Sequence, residues 1–121
     1  IRVAGNKAGI QASIPGYVPS SYNLSGPITY SPGQITLTFT STGSNNRLTI
    51  AERKTQWDSS SLLQNYVSRK SKDYLAVQNQ GLTIYLYGGN QASWVNRGIW
   101  YSIEGDTQIS REQVLKIASS L

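Results

Sequence analysis

Hydrophobic and polar residues alternate most regularly in two stretches of the chain. Between Gln34 and Thr40 every second residue is Ile, Leu or Phe, with threonines among them, and residues 82–87 repeat the pattern with aliphatic residues at the even positions. A period of two predicts strands with one buried face. The segment from Arg47 to Lys54 resumes the alternation after a loop of turn-forming residues. It is predicted to form a hairpin with the strand before it.

The first 33 residues follow another pattern, in which proline and glycine stand next to each other repeatedly. Such pairs form turns and divide the chain into short extended pieces. We predict short strands near Tyr22–Leu24 and Ile28–Tyr30. A further strand is expected from Tyr74 to Gln78, joined through an Asn-Gln-Gly turn to the strand at 82–87.

Two segments have helical spacing of their apolar residues. After capping residues at 58–61, apolar side chains recur at intervals of three and four up to Val67. In the last segment, Ser110 and Gln113 have the spacing of a capping box and precede an apolar stripe that ends at Leu121. We therefore predict two helices.

Short strands joined by hairpin-length turns argue against repeated strand–helix–strand units. The predicted fold class is α+β, with a curved, mainly antiparallel sheet resembling a half-barrel. Two helices, at about 59–70 and 110–120, are predicted to pack on its single aliphatic face. The 121 residues suit one domain spanning 1–121.

The stretch 91–106 contains two of the three tryptophans, and its hairpin register decides which of them is buried. A three-residue loop would place Trp94 opposite Trp100. A two- or four-residue loop would place Val95 opposite Trp100, and Trp94 opposite Tyr101. The second register collects the apolar residues on one face, and burial of a whole face usually sets register. We adopt it, so Trp94 becomes a core residue.

This register leaves Trp100 on the same side as Tyr85 and Tyr87. These three residues are our candidate ligand-binding group. The alternative for Trp100 is a surface aromatic residue packed against neighbouring side chains.

Cysteine and histidine are both absent from the sequence. Their absence excludes disulfides, thiolate chemistry and the commonest general base and metal ligand. Glu104 and Asp106 are two positions apart, so on a strand they would leave the same side. They lie at a glycine-containing turn, however, where solvated carboxylates are common. We predict that the domain is not an enzyme and uses no cofactor or metal.

The net charge is +5, which favours anionic partners in general. The densest basic run contains Arg69, Lys70 and Lys72, flanked by Tyr66 and Tyr74. The run is a candidate basic patch for phosphate-bearing ligands. Cations at the end of a helix also favour its negative pole, so the run has a purely structural explanation.

Several motifs of the C-terminal half, together with the segment Ile14–Pro19, resemble the bacterial domain of unknown function 4367 family. The motifs occur in the family's order: a tryptophan strand, a glycine turn, a tyrosine strand and a closing helix that ends in alanine and leucine. In this sequence they read Leu82-Thr83-Ile84-Tyr85, Ala92-Ser93-Trp94, Gly98-Ile99-Trp100-Tyr101-Ser102-Ile103-Glu104-Gly105 and Ile109 to Leu121. The middle of the chain matches only in its strand alternation.

The resemblance implies an extracytoplasmic domain of a membrane-anchored bacterial protein, similar to the lipoprotein-carrier type of half-barrel, with no catalytic residues to carry over. Because the sequence begins at Ile1 and contains no methionine, we expect a soluble fragment whose membrane anchor lies upstream in the cell-envelope protein.

The leading hypothesis is a non-enzymatic sensing or binding domain that holds an apolar, lipid-like ligand between sheet and helices. One alternative is a module for cell-wall polymer or glycan that uses the basic and aromatic surface. Another is a structural domain that binds a second envelope protein. None of these hypotheses favours nucleic acid as a partner.

Overall fold

The computed structural model describes residue 9 and residues 13–24, 28–42, 46–88, 90–105 and 109–121. Asp106, most of the first twelve residues and the centre of the loop predicted at 42–46 lie outside this set. The strands are β1 (Tyr22–Leu24), β2 (Thr29–Ser31), β3 (Gln34–Ser41), β4 (Arg47–Lys54), β5 (Leu75–Asn79), β6 (Leu82–Tyr87), β7 (Gln91–Asn96) and β8 (Ile99–Glu104). The helices are α1 (Ser59–Leu62), α2 (Ser68–Lys70) and α3 (Arg111–Ser119), with a π-helical stretch (Leu63–Val67) between α1 and α2.

All eight strands belong to one antiparallel sheet, in the order β1-β3-β4-β8-β7-β6-β5. The short strand β2 also pairs with β3, so β1 and β2 lie end to end along the same strand. The sheet is open, with β5 at one edge and β1 with β2 at the other. The predicted α+β class is confirmed.

Helix α3 covers one face of the sheet. Its Val114 and Ile117 are fully buried and pack in one cluster with Leu37, Ile50 and Ile103 from the central strands. The predicted capping box is present, because the Ser110 hydroxyl accepts from the Gln113 amide and the Gln113 side chain accepts from the Ser110 amide. None of the described helices has the length and hydropathy of a membrane span.

Residues 59–70, which comprise α1, the π-helical stretch and α2, form one helical segment on the opposite face of the sheet. Its Leu62 and Val67 are fully buried against Tyr85 and Tyr87. The π-helical i→i+5 pattern brings these two apolar residues, five positions apart, to the same side of the segment. The Asp58 side chain caps its start by accepting from the Ser61 amide at 2.8 Å.

The prediction that both helices pack on one face is therefore wrong. In β6 the aliphatic residues face α3, whereas Tyr85 and Tyr87 face the other way and are only 5% and 2% exposed. Their ring surface is large enough to form a second core. The sequence pattern alone made that side look like a solvent face, and the second helical segment covers it instead.

The adopted register of the 91–104 hairpin is confirmed, with Val95 opposite Trp100 and Trp94 opposite Tyr101. Trp94 is 2% exposed and stacks on Tyr101, with ring centroids 5.1 Å apart.

The described N-terminal segment, residues 13–19, runs beside α3. The Gly16 amide donates to the Ser120 carbonyl at 3.1 Å, and a side chain at position 16 would contact the Ser120 backbone. The segment and the end of α3 thus lie together at one side of the sheet.

Candidate functional site

A polar cleft of about 430 Å³ opens where β4 ends and β7 turns into β8. The turn has two residues, Arg97 and Gly98, with φ of 53° and 78°. Positive φ at both positions is typical of the tight hairpin turn that follows the sheet's twist. The Thr55 amide donates to the Gly98 carbonyl at 2.9 Å, which fixes the turn against the end of β4.

Two cationic side chains, Lys54 and Arg97, line this cleft, together with Ser13, Tyr101 and the backbone of the turn. Lys54 belongs to β4 and Arg97 to the β7–β8 turn, and both residues are exposed to solvent. Such an arrangement attracts anions and can donate several hydrogen bonds to them.

A buried carboxylate, that of Glu52, lies two residues before the cleft residue Lys54 on β4. Glu52 is fully buried, and its Oε1 accepts from the Ser13 amide at 2.8 Å. Its Oε2 has no hydrogen-bond partner within the described part of the chain. Burial raises the pKa of Glu52 to about 7, and the hydrogen bond from Ser13 opposes part of that rise.

Tyr101 links the carboxylate to the cleft. It stands directly opposite Glu52 on β8 and also lines the cleft. Burial raises the pKa of its phenol, with the Glu52 charge adding to the rise, whereas a Ser13 hydrogen bond and the Arg97 charge lower it. The pKa of Tyr101 therefore depends on the charges of both Glu52 and Arg97.

The predicted ligand-binding residues Tyr85, Tyr87 and Trp100 come together on the other face of the sheet, in the second core. Tyr85 Oη donates to the Ser59 carbonyl at 3.1 Å, and the Tyr87 and Ser93 hydroxyls are 2.9 Å apart. The helical segment lies over both tyrosines. A ligand could reach them only if that segment moved, and their role in binding stays a prediction.

Trp100 is half-buried among other aromatic and cationic groups. The Trp57 and Tyr66 rings lie 5.1 Å and 4.7 Å from its ring, and the Arg53 guanidinium is 4.7 Å from its centroid. Its Nε1 is buried without a partner among the described residues. These neighbours match the packing alternative named for Trp100.

The candidate basic patch borders this aromatic cluster at Tyr66. Arg69, Lys70 and Lys72 are exposed at and just beyond the end of the helical segment, and Lys70 Nζ lies 5.4 Å from the Tyr66 ring centroid. Arg69 and Lys70 occupy the last turn of α2, where the backbone carbonyls attract cations. The Tyr66 ring thus contacts Lys70 of the patch and also Trp100 of the three aromatic residues.

Sequence comparison identifies the family. The sequence model for the domain of unknown function 4367 (DUF4367) matches residues 13–121. The chain belongs to this family. Neither a curated protein nor a solved structure matches it at a significant level. The family resemblance noted in the sequence is thus confirmed over residues 13–121.

No group of three or more potential metal ligands occurs among the described residues of the DUF4367 domain. A second, shallower groove of about 370 Å³ lies on the outer side of α3, between Tyr17 and Leu115.

Sequence reasoning missed the cleft and the carboxylate behind it. One signal was available. Leu48, Ile50 and Glu52 occupy every second position of β4, so the alternation itself places a carboxylate on the apolar face. No sequence signal indicated that Lys54 and Arg97 would meet, because the turn between β7 and β8 reaches the end of β4 only in the folded sheet.

Proposed function

We propose that the DUF4367 domain is a non-enzymatic, extracytoplasmic binding or sensing domain of a membrane-anchored bacterial protein. Its ligand is a short anionic segment, such as the phosphodiester backbone of a cell-wall polymer. The observation that carries this proposal is the polar cleft lined by Lys54 and Arg97.

Charge and family resemblance support this proposal. The net charge of +5 favours an anionic partner. The cell-envelope location rests on the resemblance of the sequence to extracytoplasmic domains of membrane-anchored proteins. A binding role rather than catalysis agrees with the chemistry of the cleft, whose cations recognise charge, and with a sequence that has no histidine or cysteine.

An apolar, lipid-like ligand has less support. Ile84, Val114 and Ile117 between the sheet and α3 are 2% exposed or less, so this interface is filled by side chains. Native mass spectrometry of protein extracted gently from its host tests this alternative. A retained lipid would favour it over the anionic polymer.

The decisive experiment compares two double variants that each remove two positive charges. Lys54→Gln with Arg97→Asn removes both positive charges of the cleft, and Arg69→Gln with Lys72→Gln removes two of the three positive charges of the basic patch. Binding of a glycerol phosphodiester oligomer is measured by calorimetry, and retention on isolated cell wall is measured across a salt series.

We expect the cleft variant to lose about tenfold or more in affinity, because a hydrogen bond to a charged group contributes about 1.5 kcal/mol or more. The basic-patch variant should stay within about twofold, as exposed charges at a distance are screened by salt. The opposite ranking would move the site to the basic patch. Absence of binding at low salt would refute the anionic ligand and favour the structural protein–protein alternative.

A further inference from the structure

The buried carboxylate and the cleft share one face of β4. Glu52 and Lys54 are two positions apart on this strand, so their side chains leave the same side of the sheet. Ser13, which donates to Glu52 Oε1, and Tyr101, which stands opposite Glu52, both line the cleft. A charge on Glu52 is therefore immediately behind the cleft wall.

Groups on both neighbouring strands and in the N-terminal segment face Glu52. On β3 its partner is the apolar Ile35, and on β8 it is Tyr101. Among the described residues that line the cleft, the positive groups are Lys54 on β4 and Arg97 in the turn. Within the described part of the chain, Glu52 Oε2 has no hydrogen-bond partner. An ionised Glu52 would therefore share the cleft's two cations with a bound anion.

We propose that protonation of Glu52 switches the affinity of the cleft for its anionic ligand. With Glu52 neutral, both cations are available to the ligand and the cleft binds tightly. With Glu52 ionised, its negative charge partly satisfies the same cations and repels the ligand, so the cleft binds weakly. This inference rests on the proposed function.

The carboxylate of this group of charges is buried, whereas Lys54 and Arg97 are exposed to solvent. Because solvent screens the two cations, we expect a coupling of about one pKa unit. Burial raises the pKa of Glu52 to about 7, which places the change near neutral pH. By linkage, a ligand that binds the protonated form better must also raise the proton affinity of Glu52. Binding near pH 7 is therefore accompanied by proton uptake.

The experiment titrates a glycerol phosphodiester oligomer without terminal monoesters into the domain between pH 5.5 and 8.5. A phosphodiester suits this range because monoesters themselves titrate near about pH 6. Wild type is compared with Glu52→Gln and with Glu104→Gln, which removes an exposed carboxylate of the same charge on β8.

We expect the affinity of wild type and of Glu104→Gln to fall on the order of tenfold from pH 6 to pH 8. This fall corresponds to a rise of about one unit in the pKa of Glu52 when the ligand binds. Glu52→Gln should keep the high affinity throughout. Equal slopes in wild type and Glu52→Gln would overturn the switch and leave the anion site intact. Absence of binding at every pH would instead refute the proposed function, and the switch with it.

A second measurement does not depend on the variant folding. Calorimetry of wild type at pH 7 in two buffers with different ionisation enthalpies gives the number of protons exchanged on binding. Net uptake of a fraction of one proton supports the switch. No uptake, or a release, contradicts it.

Discussion

At the scale of single residues, the least ordinary feature is a carboxylate placed among aliphatic side chains. Glu52 occupies a β4 position whose neighbours on the same face, Leu48 and Ile50, are fully buried. Burying an ionised group without a charged partner is costly, and the cost is reduced when the group takes up a proton. The carboxylate therefore makes the stability of the fold depend on pH.

The first prediction concerns that dependence. The pKa of Glu52 rises from 4.5 in the unfolded chain to about 7 in the folded one. Between these values the folded state binds more protons at Glu52, so the contribution of Glu52 to stability falls as pH rises from 4.5 to 7 and is constant outside this range. The full loss is about 3 kcal/mol. Urea denaturation across this pH range should show the fall in wild type, and Glu52→Gln should remove it. A wild type whose stability rises over the same range would contradict the assignment.

The second prediction separates the two tryptophans of the β7–β8 hairpin. Trp94→Ala removes a fully buried ring that stacks on Tyr101, and it should cost about 3–5 kcal/mol of the unfolding free energy. Trp100→Ala removes a half-buried ring and should cost clearly less. Chemical denaturation measures both. Equal costs would mean that the face of the sheet under the helical segment is packed as firmly as the face under α3.

At the scale of elements, the β7–β8 turn is tight and strained. Arg97 adopts a positive φ of 53°, which is unfavourable for a residue with a long side chain. Asparagine tolerates this conformation and is preferred at this place in a two-residue turn.

The third prediction follows from this strain. Arg97→Asn should raise the unfolding free energy by about 0.5–1 kcal/mol, although it removes a cation from the cleft. Gly98→Ala, at φ of 78°, should lower the free energy instead. Thermal unfolding of the two variants checks the opposite signs.

The fourth prediction tests how the helical segment of residues 59–70 packs on the face of the sheet opposite α3. Leu62→Ala should cost about 2–5 kcal/mol, since Leu62 is fully buried against the β6 tyrosines. Leu63→Ala, at the adjacent half-buried position, is the matched control and should cost less. Loosening the segment would also expose Trp100, so tryptophan emission of Leu62→Ala should shift to longer wavelength. Identical behaviour of the two variants would argue against the π-helical placement.

At the scale of the whole molecule, the open sheet has a rigid centre and weaker edges. Strands β4 and β8 are paired on both sides and carry fully buried residues, whereas β2 is exposed along its three residues and β5 along most of its length. Local opening costs least where few apolar contacts hold the backbone. The fifth prediction is that amide hydrogens of β4 and β8 exchange slowest and those of β2 and β5 fastest. Slow exchange in β2 would contradict this order.

The features that could be predicted from the sequence are those controlled by the spacing of side chains close together in the chain. Strand β3 followed from the alternation of its side chains, the start of α3 from Ser110 and Gln113, and the β7–β8 register from the apolar face that it buries. Periodicity could not tell that the tyrosines of β6 form a second core, because a polar hydroxyl at the ring edge makes a buried tyrosine look like a surface residue. It also could not assemble the cleft, whose charged residues meet only through pairing of strands distant in sequence.

The contact between residue 16 and residue 120 has a mechanical consequence. Residues 13–19 and the end of α3 lie on the same side of the domain, held together by the Gly16–Ser120 hydrogen bond. A pulling force applied between these two segments would therefore first load that bond, the Ser13–Glu52 hydrogen bond and the docking of the segment. The strands of the sheet would carry the load only after these contacts had opened.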